Sequence, residues 1–452
     1  MIFAHQALLA DGWHQNVRIS VADGRISGLQ SASRPEPGDS LVDTVLPALA
    51  NLHSHSFQRA MAGMSEFRAA GQDSFWTWRT LMYRFLDRLT PEQMQAIAAL
   101  VFMEMQEAGY ASVGEFHYVH HQPGGQNYDD PAELSQRIFA AATETGIGLT
   151  HLPVLYSYGG AGEVPLAGGQ LRFGNTVEEY NALLARIRSG LSGMSADTRV
   201  GIAPHSLRAT SPQDLQTLLA AQSDGPVHIH IAEQPKEVQD IEAWLGARPV
   251  AWLLDNAPVN QDWCLIHATH MSADETVKMA RSGAVAGLCP ITEANLGDGA
   301  FNGVAYLNAG GAFGIGSDSN VRIALGEELR QLEYSQRLRD MQRNVMVTGP
   351  GSTGATLYQG AAIGGARALG RDSGEIREGA LADLVAVDSQ CPALCALAPE
   401  QLLDGLVFAA GETVVTDLWS AGRHMVQQGR HIHRDQLRTA YRSAVHALLE
   451  SG

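Results

Sequence analysis

Eight short apolar runs, most of them ending in polar residues and separated by longer stretches of helical periodicity, constrain this chain more than any other feature. They are LPALANLHSHSFQ (46 to 58), ASVGEFHY (111 to 118), GLTHLPVLY (148 to 156), RVGIAPHS (199 to 206), PVHIHIAE (226 to 233), WCLIHATH (263 to 270), AVAGLCPI (284 to 291) and AFGIGSDS (312 to 319). Strand-length apolar runs alternating with stretches of period near 3.6 predict a parallel sheet with crossover helices. Eight such units predict an α/β protein built on a (β/α)8 TIM-like barrel, in which functional groups sit at the C-terminal ends of the strands. The polar residues of these runs fall there.

The flanks read differently. Residues 1 to 45 alternate apolar and polar with turn signals at Ala10-Asp11-Gly12 and Ala22-Asp23-Gly24, as short antiparallel strands do. Short-strand character returns in EGALADLVAVD (378 to 388) and VVTDLWSAGRHMVQQGRH (414 to 431). The expectation is a small β-sandwich domain formed from both ends of the chain, residues 1–45 and 372–431, with the barrel 46–371 inserted and a C-terminal helix within 432–452. The segment from Glu66 to Ala108 is long for a plain crossover, and its Trp76, Trp78, Arg79 and Tyr83 are placed to cover the barrel mouth.

Composition bounds the function. The 452 residues are 45% hydrophobic and 17% charged, as in a well-buried globular chain. A formal charge of −17 argues against nucleic acid as a partner, though a cleft with a local positive field still admits a small anion. Lys236 and Lys278 are the only lysines, so arginine carries nearly all the positive charge. Cys264, Cys289, Cys391 and Cys395 have no paired metal-ligand spacing and read as free thiols of a reducing compartment. MIFAHQALLADGW lacks a signal peptide's basic start, and no run of 18 apolar residues occurs, so a cytoplasmic protein without a membrane span is expected.

The chemistry lies in the strand ends. Side chains on a strand repeat with period two, so His53 and His55 project from one face and can share one ion. His230 and Asp318 end two further strands and complete a set of imidazole and carboxylate ligands, with a position left for water. His228 lies deeper on its strand and reads as a barrel-core or supporting residue. Glu233 leaves the same strand where it could move a proton, His267 could polarise the substrate or hold the attacking water, and Asp318 could also accept the water's proton. His117, His120 and His121 are not expected to be ligands, His270 is expected outside the ligand set, and His431 and His433 are expected on the surface.

HSH, HIHIAE, LIHATH and GSDSN, taken in order with CPITEANLGDG (289 to 299), resemble the amidohydrolase superfamily in its deaminase branch. Within that branch HSHSFQRAM, GEFHYVHH, APHSLRA and CPITEANLGDG resemble the deiminases of N-formimino-L-glutamate, over nearly the whole chain. Binuclear members of the superfamily carry a carboxylated lysine on the fourth strand, whereas RVGIAPHS has no Lys, Glu or Cys. The resemblance therefore implies one divalent metal per chain, Zn2+ first, with Fe2+ or Mn2+ able to use the same ligands. It implies hydrolysis of a formimino group to N-formyl-L-glutamate and ammonia in histidine degradation, with the substrate carboxylates on Arg79, Tyr118, His205 and Arg208 and the formimino end beside Gln58. A homodimer is the expected assembly. The alternatives are a deaminase of the same branch acting on a nucleobase, nucleoside or triazine, and a non-catalytic scaffold.

Overall fold

Turn chemistry sets up the first sheet. In the structure, a computed structural model describing residues 1–66, 75–221 and 224–450, strands β2 (Gly12–Ala22) and β3 (Arg25–Gln30) are joined by Asp23 and Gly24 alone. Both have left-handed backbones (φ 49° and 76°), the two-residue loop whose twist matches that of the flanking strands. Strand β1 (Ile2–Leu9) pairs antiparallel with β2 and parallel with β4 (Ser40–Pro47). From β4 the chain passes directly into the second architecture.

That part is parallel throughout. Strands β5 (Leu49–Ser54), β6 (Tyr110–His117), β7 (Gly148–Leu155) and β8 (Arg199–Val200) form one sheet, and β9 (Ala203–Pro204) continues beside β7. Strands β10 (Val227–Ile231), β11 (Trp263–His267), β12 (Val285–Leu288) and β13 (Ala312–Ile315) form another. Parallel bridges Ile202–Val227 and Ser206–His230 join the two sheets along one edge, and Ser54–Asp318 joins them along the other. With β8 and β9 as one interrupted strand, eight parallel segments close into a ring.

The ring is filled as a barrel must be. Leu52, Cys264, Ile266, Val285 and Cys289 pack inside it against Ala368 and Leu369, which end the helix Thr353–Ala368 and form the floor. His228 Nε2 reaches the Ala368 carbonyl at 2.7 Å, which places His228 at that floor, in a core role. The helix approaches so closely that a Cβ on Gly364 would lie 1.9 Å from the Phe313 carbonyl oxygen. Only glycine fits there.

The chain then returns to the first sheet. Strands β14 (Leu384–Val387), β15 (Val415–Ser420), β16 (Arg423–Gln427) and β17 (Arg430–His431) extend it to eight strands in the order β17-β16-β15-β14-β4-β1-β2-β3. The sheet curls until its far edge, Ile26 on β3, donates to the Ala380 carbonyl at 2.9 Å. Val17, Ile19, Ile26, Val45, Leu384 and Trp419 fill the resulting core. The helix Arg434–Glu450 follows, and Arg434 pairs with Glu107 at 3.2 Å.

The expectation for His431 fails. It is buried, with Nε2 3.0 Å from the Thr145 carbonyl oxygen, because β17 is pressed onto the barrel layer, whereas His433 is exposed. Of the segment 66–108, residues 67–74 and the side chain of Trp76 lie outside the described residues; the helix Phe75–Leu86 brings Trp78, Arg79 and Met82 to the barrel mouth. Among the described residues no helix is long and apolar enough to cross a membrane.

Candidate active site

Sharp turns at the strand ends aim the functional side chains. Ala232, His267, Ala268, Asp318 and Asn320 all have left-handed backbones (φ 45° to 67°), at or just beyond the ends of β10, β11 and β13. Each costs on the order of 1 kcal/mol, so the surroundings must hold them. Glu237 accepts from the backbone N–H groups of Ala232 (3.2 Å) and Glu233 (3.0 Å). Asn51 donates to Ser317 Oγ (2.6 Å), which donates to Asn320 Oδ1 (2.6 Å), and Asn320 Nδ2 donates to Ser54 Oγ (3.2 Å). This chain of bonds ties β5 to the turn carrying Asp318.

Three imidazoles converge inside. One ring nitrogen from each of His53, His55 and His230 lies within 4.8 Å of the others, and all three residues are buried. His55 Nδ1 faces the Phe116 carbonyl (2.9 Å) and His230 Nδ1 faces the His205 carbonyl (3.0 Å), which turns both Nε2 atoms toward the common point. His53 Nε2 and His230 Nε2 are 3.1 Å apart. Burial pushes the His53 ring down to about 3 and those of His55 and His230 below the ordinary range, so the rings are neutral. Two lone pairs facing each other at 3.1 Å repel unless a proton or cation lies between, and neutral imidazoles are the ligand form of histidine. Asp318 Oδ1 lies 3.4 Å from His53 Nε2 and 3.3 Å from His55 Nε2. Burial would raise this carboxyl, but the neighbouring imidazoles outweigh it and hold Asp318 well below the usual carboxylate range. This donor set fits a divalent cation.

Around it stand acid and base groups. Glu233 Oε1 and Asp318 Oδ2 lie 3.9 and 3.8 Å from His267 Nε2, and His267 Nδ1 is 3.2 Å from Glu293. Burial pushes the Glu233 carboxyl up to about 7 against the opposing charges of His267 and Arg208. For His267 burial acts downward, but Glu233, Glu293 and Asp318 together raise it to about 10.

The mouth is basic and aromatic. Gln58, Arg79, Tyr118, His205 and Arg208 line the same pocket as His55, His230, Glu233, His267 and Asp318, while His53 lies fully buried behind them. Gln58 donates to Tyr118 OH at 2.7 Å, and its carbonyl oxygen is buried without a hydrogen-bond partner. Arg79 donates to Tyr156 OH at 2.8 Å. Arg208 lies 4.0 Å from Glu237, with its Nε buried and unbonded. Burial and then the charges of both guanidiniums hold His205 neutral.

Every residue singled out from the sequence as ligand, catalytic or substrate-binding is therefore brought to one place. His120 and His121 bond the carbonyls of Val154 and Gly174 instead, His117 packs on His151 (5.3 Å), and His270 bonds the Asp298 carbonyl. Three residues were not anticipated: Tyr156, Glu237 and Glu293. Tyr156 ends the third apolar run as Tyr118 ends the second, a signal that was available. Glu237 looks like any carboxylate on a helix, and Glu293 stands inside the quoted motif CPITEANLGDG with nothing local to show its partner.

Behind the converging histidines, Glu115 on β6 accepts from the N–H (2.9 Å) and hydroxyl (2.6 Å) of Ser56, at the start of the turn carrying Gln58, and its other oxygen is buried without a partner. Burial pushes its carboxyl from the ordinary 4.5 up to about 7, with the Ser56 bonds opposing. A raised carboxyl contributes stability that is fully present below the unfolded value and lost as pH rises through the folded one. Stability should therefore fall between about pH 4.5 and 8 by a component on the order of 3 kcal/mol. Glu115→Gln should remove that component, most of which denaturant unfolding at pH 5 and pH 8 measures. Equal losses in wild type and variant would contradict it.

A cluster of histidines and a carboxylate able to hold a cation at the C-terminal mouth of a parallel barrel, with further ionisable groups around it, defines a metal-dependent barrel hydrolase. The chain belongs to the amidohydrolase family, whose profile matches residues 44–425, while residues 1–43 match the N-terminal domain of formimidoylglutamate deiminase HutF. It is 50% identical over 452 residues to a formimidoylglutamate deiminase of Pseudomonas aeruginosa, covering 99% of each chain. A 5-methylthioadenosine/S-adenosylhomocysteine deaminase of Bacillus cereus is 27% identical over 410 residues, 88% of this chain and 85% of that one. A crystal structure of an amidohydrolase from Brucella melitensis superposes with a TM-score of 0.95 at 49% identity over 99% of both chains.

Proposed function

We propose that the protein hydrolyses N-formimino-L-glutamate to N-formyl-L-glutamate and ammonia, as a cytoplasmic homodimer acting on a small anionic substrate and not on nucleic acid. The observation that carries the substrate is the pair of guanidiniums, buried Arg208 and half-buried Arg79, in the pocket that also holds His55, His230 and Asp318. Guanidinium binds carboxylate bidentately, and N-formimino-L-glutamate has two carboxylates. The 50% identity to a formimidoylglutamate deiminase over 99% of both chains supports the same reading. A nucleobase would call for ring-edge hydrogen bonds and no paired cations.

His53, His55, His230 and Asp318 would hold one divalent ion, Zn2+ by preference for imidazole and carboxylate, though Fe2+ and Mn2+ can use such ligands. When bound, the ion lowers the pKa of a coordinated water and polarises the substrate. Asp318 takes the first proton as the water oxygen bonds to the formimino carbon. Imidazolium at His267, oriented by Glu293, stabilises the charge that develops. Glu233 passes both water protons to the terminal nitrogen, the one taken by Asp318 and the one released from the new hydroxyl as the formyl C=O forms, and the bond from that nitrogen to the carbon breaks as ammonia leaves. Gln58 presents its unbonded carbonyl oxygen to the formimino N–H, and Arg79, Tyr118, His205 and Arg208 hold the carboxylates. This reading divides the chain into a β domain (1–45 and 372–431), the barrel (46–371) and the terminal segment 432–452.

The test is ammonia release across formimino-glutamate, formimino-aspartate, adenosine derivatives, guanine and cytosine, with Arg208→Met beside the wild type. A charged hydrogen bond is worth about 1.5–3 kcal/mol, so the variant should lose roughly ten- to a hundredfold in kcat/KM on formimino-glutamate. Undiminished activity of the variant, or preference of the wild type for a neutral base, would overturn the substrate.

A further inference from the structure

Cys289 takes no part in that reaction, yet it stands beside two groups that do. It follows β12 on the face that looks into the barrel: a Cβ on Gly287, two residues earlier, would meet Ile266, Cys264 and Leu52 at 2.5 to 3.0 Å, and Val285 and Cys289 both pack in that interior cluster. Its thiol is free and fully buried. One donor atom each from His267, Cys289 and Asp318 lie within 4.8 Å of one another, a second group separate from His53, His55 and His230. His267 Nδ1 is turned to Glu293, so Nε2 is the nitrogen left for a ligand. Asp318 joins the two groups: Oδ1 faces His53 and His55, and Oδ2 faces His267 Nε2 at 3.8 Å. A carboxylate with one oxygen toward each of two donor sets has the arrangement of a bridge between two cations.

We propose that His267, Cys289 and Asp318 form a second cation site, selective for thiophilic divalent ions such as Zn2+ and Cd2+, whose occupation inhibits the enzyme. Thiolate selects such ions over Mg2+ and Mn2+, and sulfur, nitrogen and oxygen ligands leave one position of a tetrahedron for water. Repulsion across the shared carboxylate makes the second ion weaker than the first, so the site fills only when metal is in excess. Filling it takes Nε2 of His267 and the second oxygen of Asp318 out of the reaction. The inhibition therefore rests on the roles assigned above, whereas the binding does not.

The experiment uses full-length protein carrying its one ion, with Cys391→Ser and Cys395→Ser to remove the two thiols that are not buried. Cd2+ is titrated in while the ultraviolet thiolate-to-cadmium charge-transfer absorption and ammonia release are followed together. The expected result is a saturating thiolate band, at least a tenfold fall in kcat with KM unchanged, and no effect of Mg2+ at the same concentration. Adding Cys289→Ser should abolish the band and move inhibition to at least tenfold higher Cd2+, and Cys289→Ala serves if serine is not tolerated there. No band in the parent, or one that survives loss of Cys289, overturns the site. A band that depends on Cys289 with turnover unchanged upholds the site and overturns the roles given to His267 and Asp318.

Discussion

Glu233→Gln is expected to lower kcat roughly 100-fold or more while the protein keeps about one divalent ion per chain. Glutamine is nearly isosteric with glutamate, and the turn that carries residue 233 is held through its backbone, with the N–H groups of Ala232 and Glu233 both donating to Glu237. The substitution thus removes a proton carrier without moving it. Glu233 is not among the groups that converge on the cation position, so metal content should stand. Its carboxyl, pushed up to about 7 by burial, can both take and give a proton near neutrality, which the amide cannot. Steady-state ammonia release and metal analysis of the same preparation check the expectation. Near-native turnover with the ion retained would mean that another group moves the proton.

The converging histidines and Asp318 were legible because a parallel barrel puts strand-end residues at predictable places. A strand's period of two puts His53 and His55 on one face, and its C-terminal end must open on the mouth, so HSH, HIHIAE and GSDSN could be read as ligand sets before any geometry was known. The carboxylate clamp came instead from a resemblance, since nothing in the local sequence of Arg79 or Arg208 says that both face one pocket. Groups that act through another residue were the least legible. Glu293 reaches His267 across 26 residues while also accepting from the Cys289 N–H, and Glu237 reads as a solvated helix carboxylate until Ala232 and Glu233 are seen to bond it. His431 was misread for the same reason. An edge-strand histidine looks exposed until β17 meets the Thr145 carbonyl, a contact between positions 286 residues apart.

Asp318→Asn should abolish useful turnover, with a fall on the order of a thousandfold or more in kcat, because a base in general acid–base catalysis supplies a factor of this size and asparagine cannot accept the water's proton. Asparagine is the informative choice here. Asp318 has a left-handed backbone (φ 45°), which asparagine tolerates about as well as aspartate and alanine does not. The position is also fixed through its main chain: its N–H donates to the His53 carbonyl and its carbonyl accepts from the His55 N–H, both at 2.9 Å, while Asn320 Nδ2 donates to the same carbonyl. The bridge that closes the barrel between β5 and the end of β13 should therefore survive, and His53, His55 and His230 remain to hold the ion. Circular dichroism should be unchanged and part of the metal retained, with any metal loss corrected by measuring turnover per bound ion. If turnover per bound ion stays within tenfold of wild type, Asp318 is a ligand only, and the proton must leave the water through Glu233 or His267.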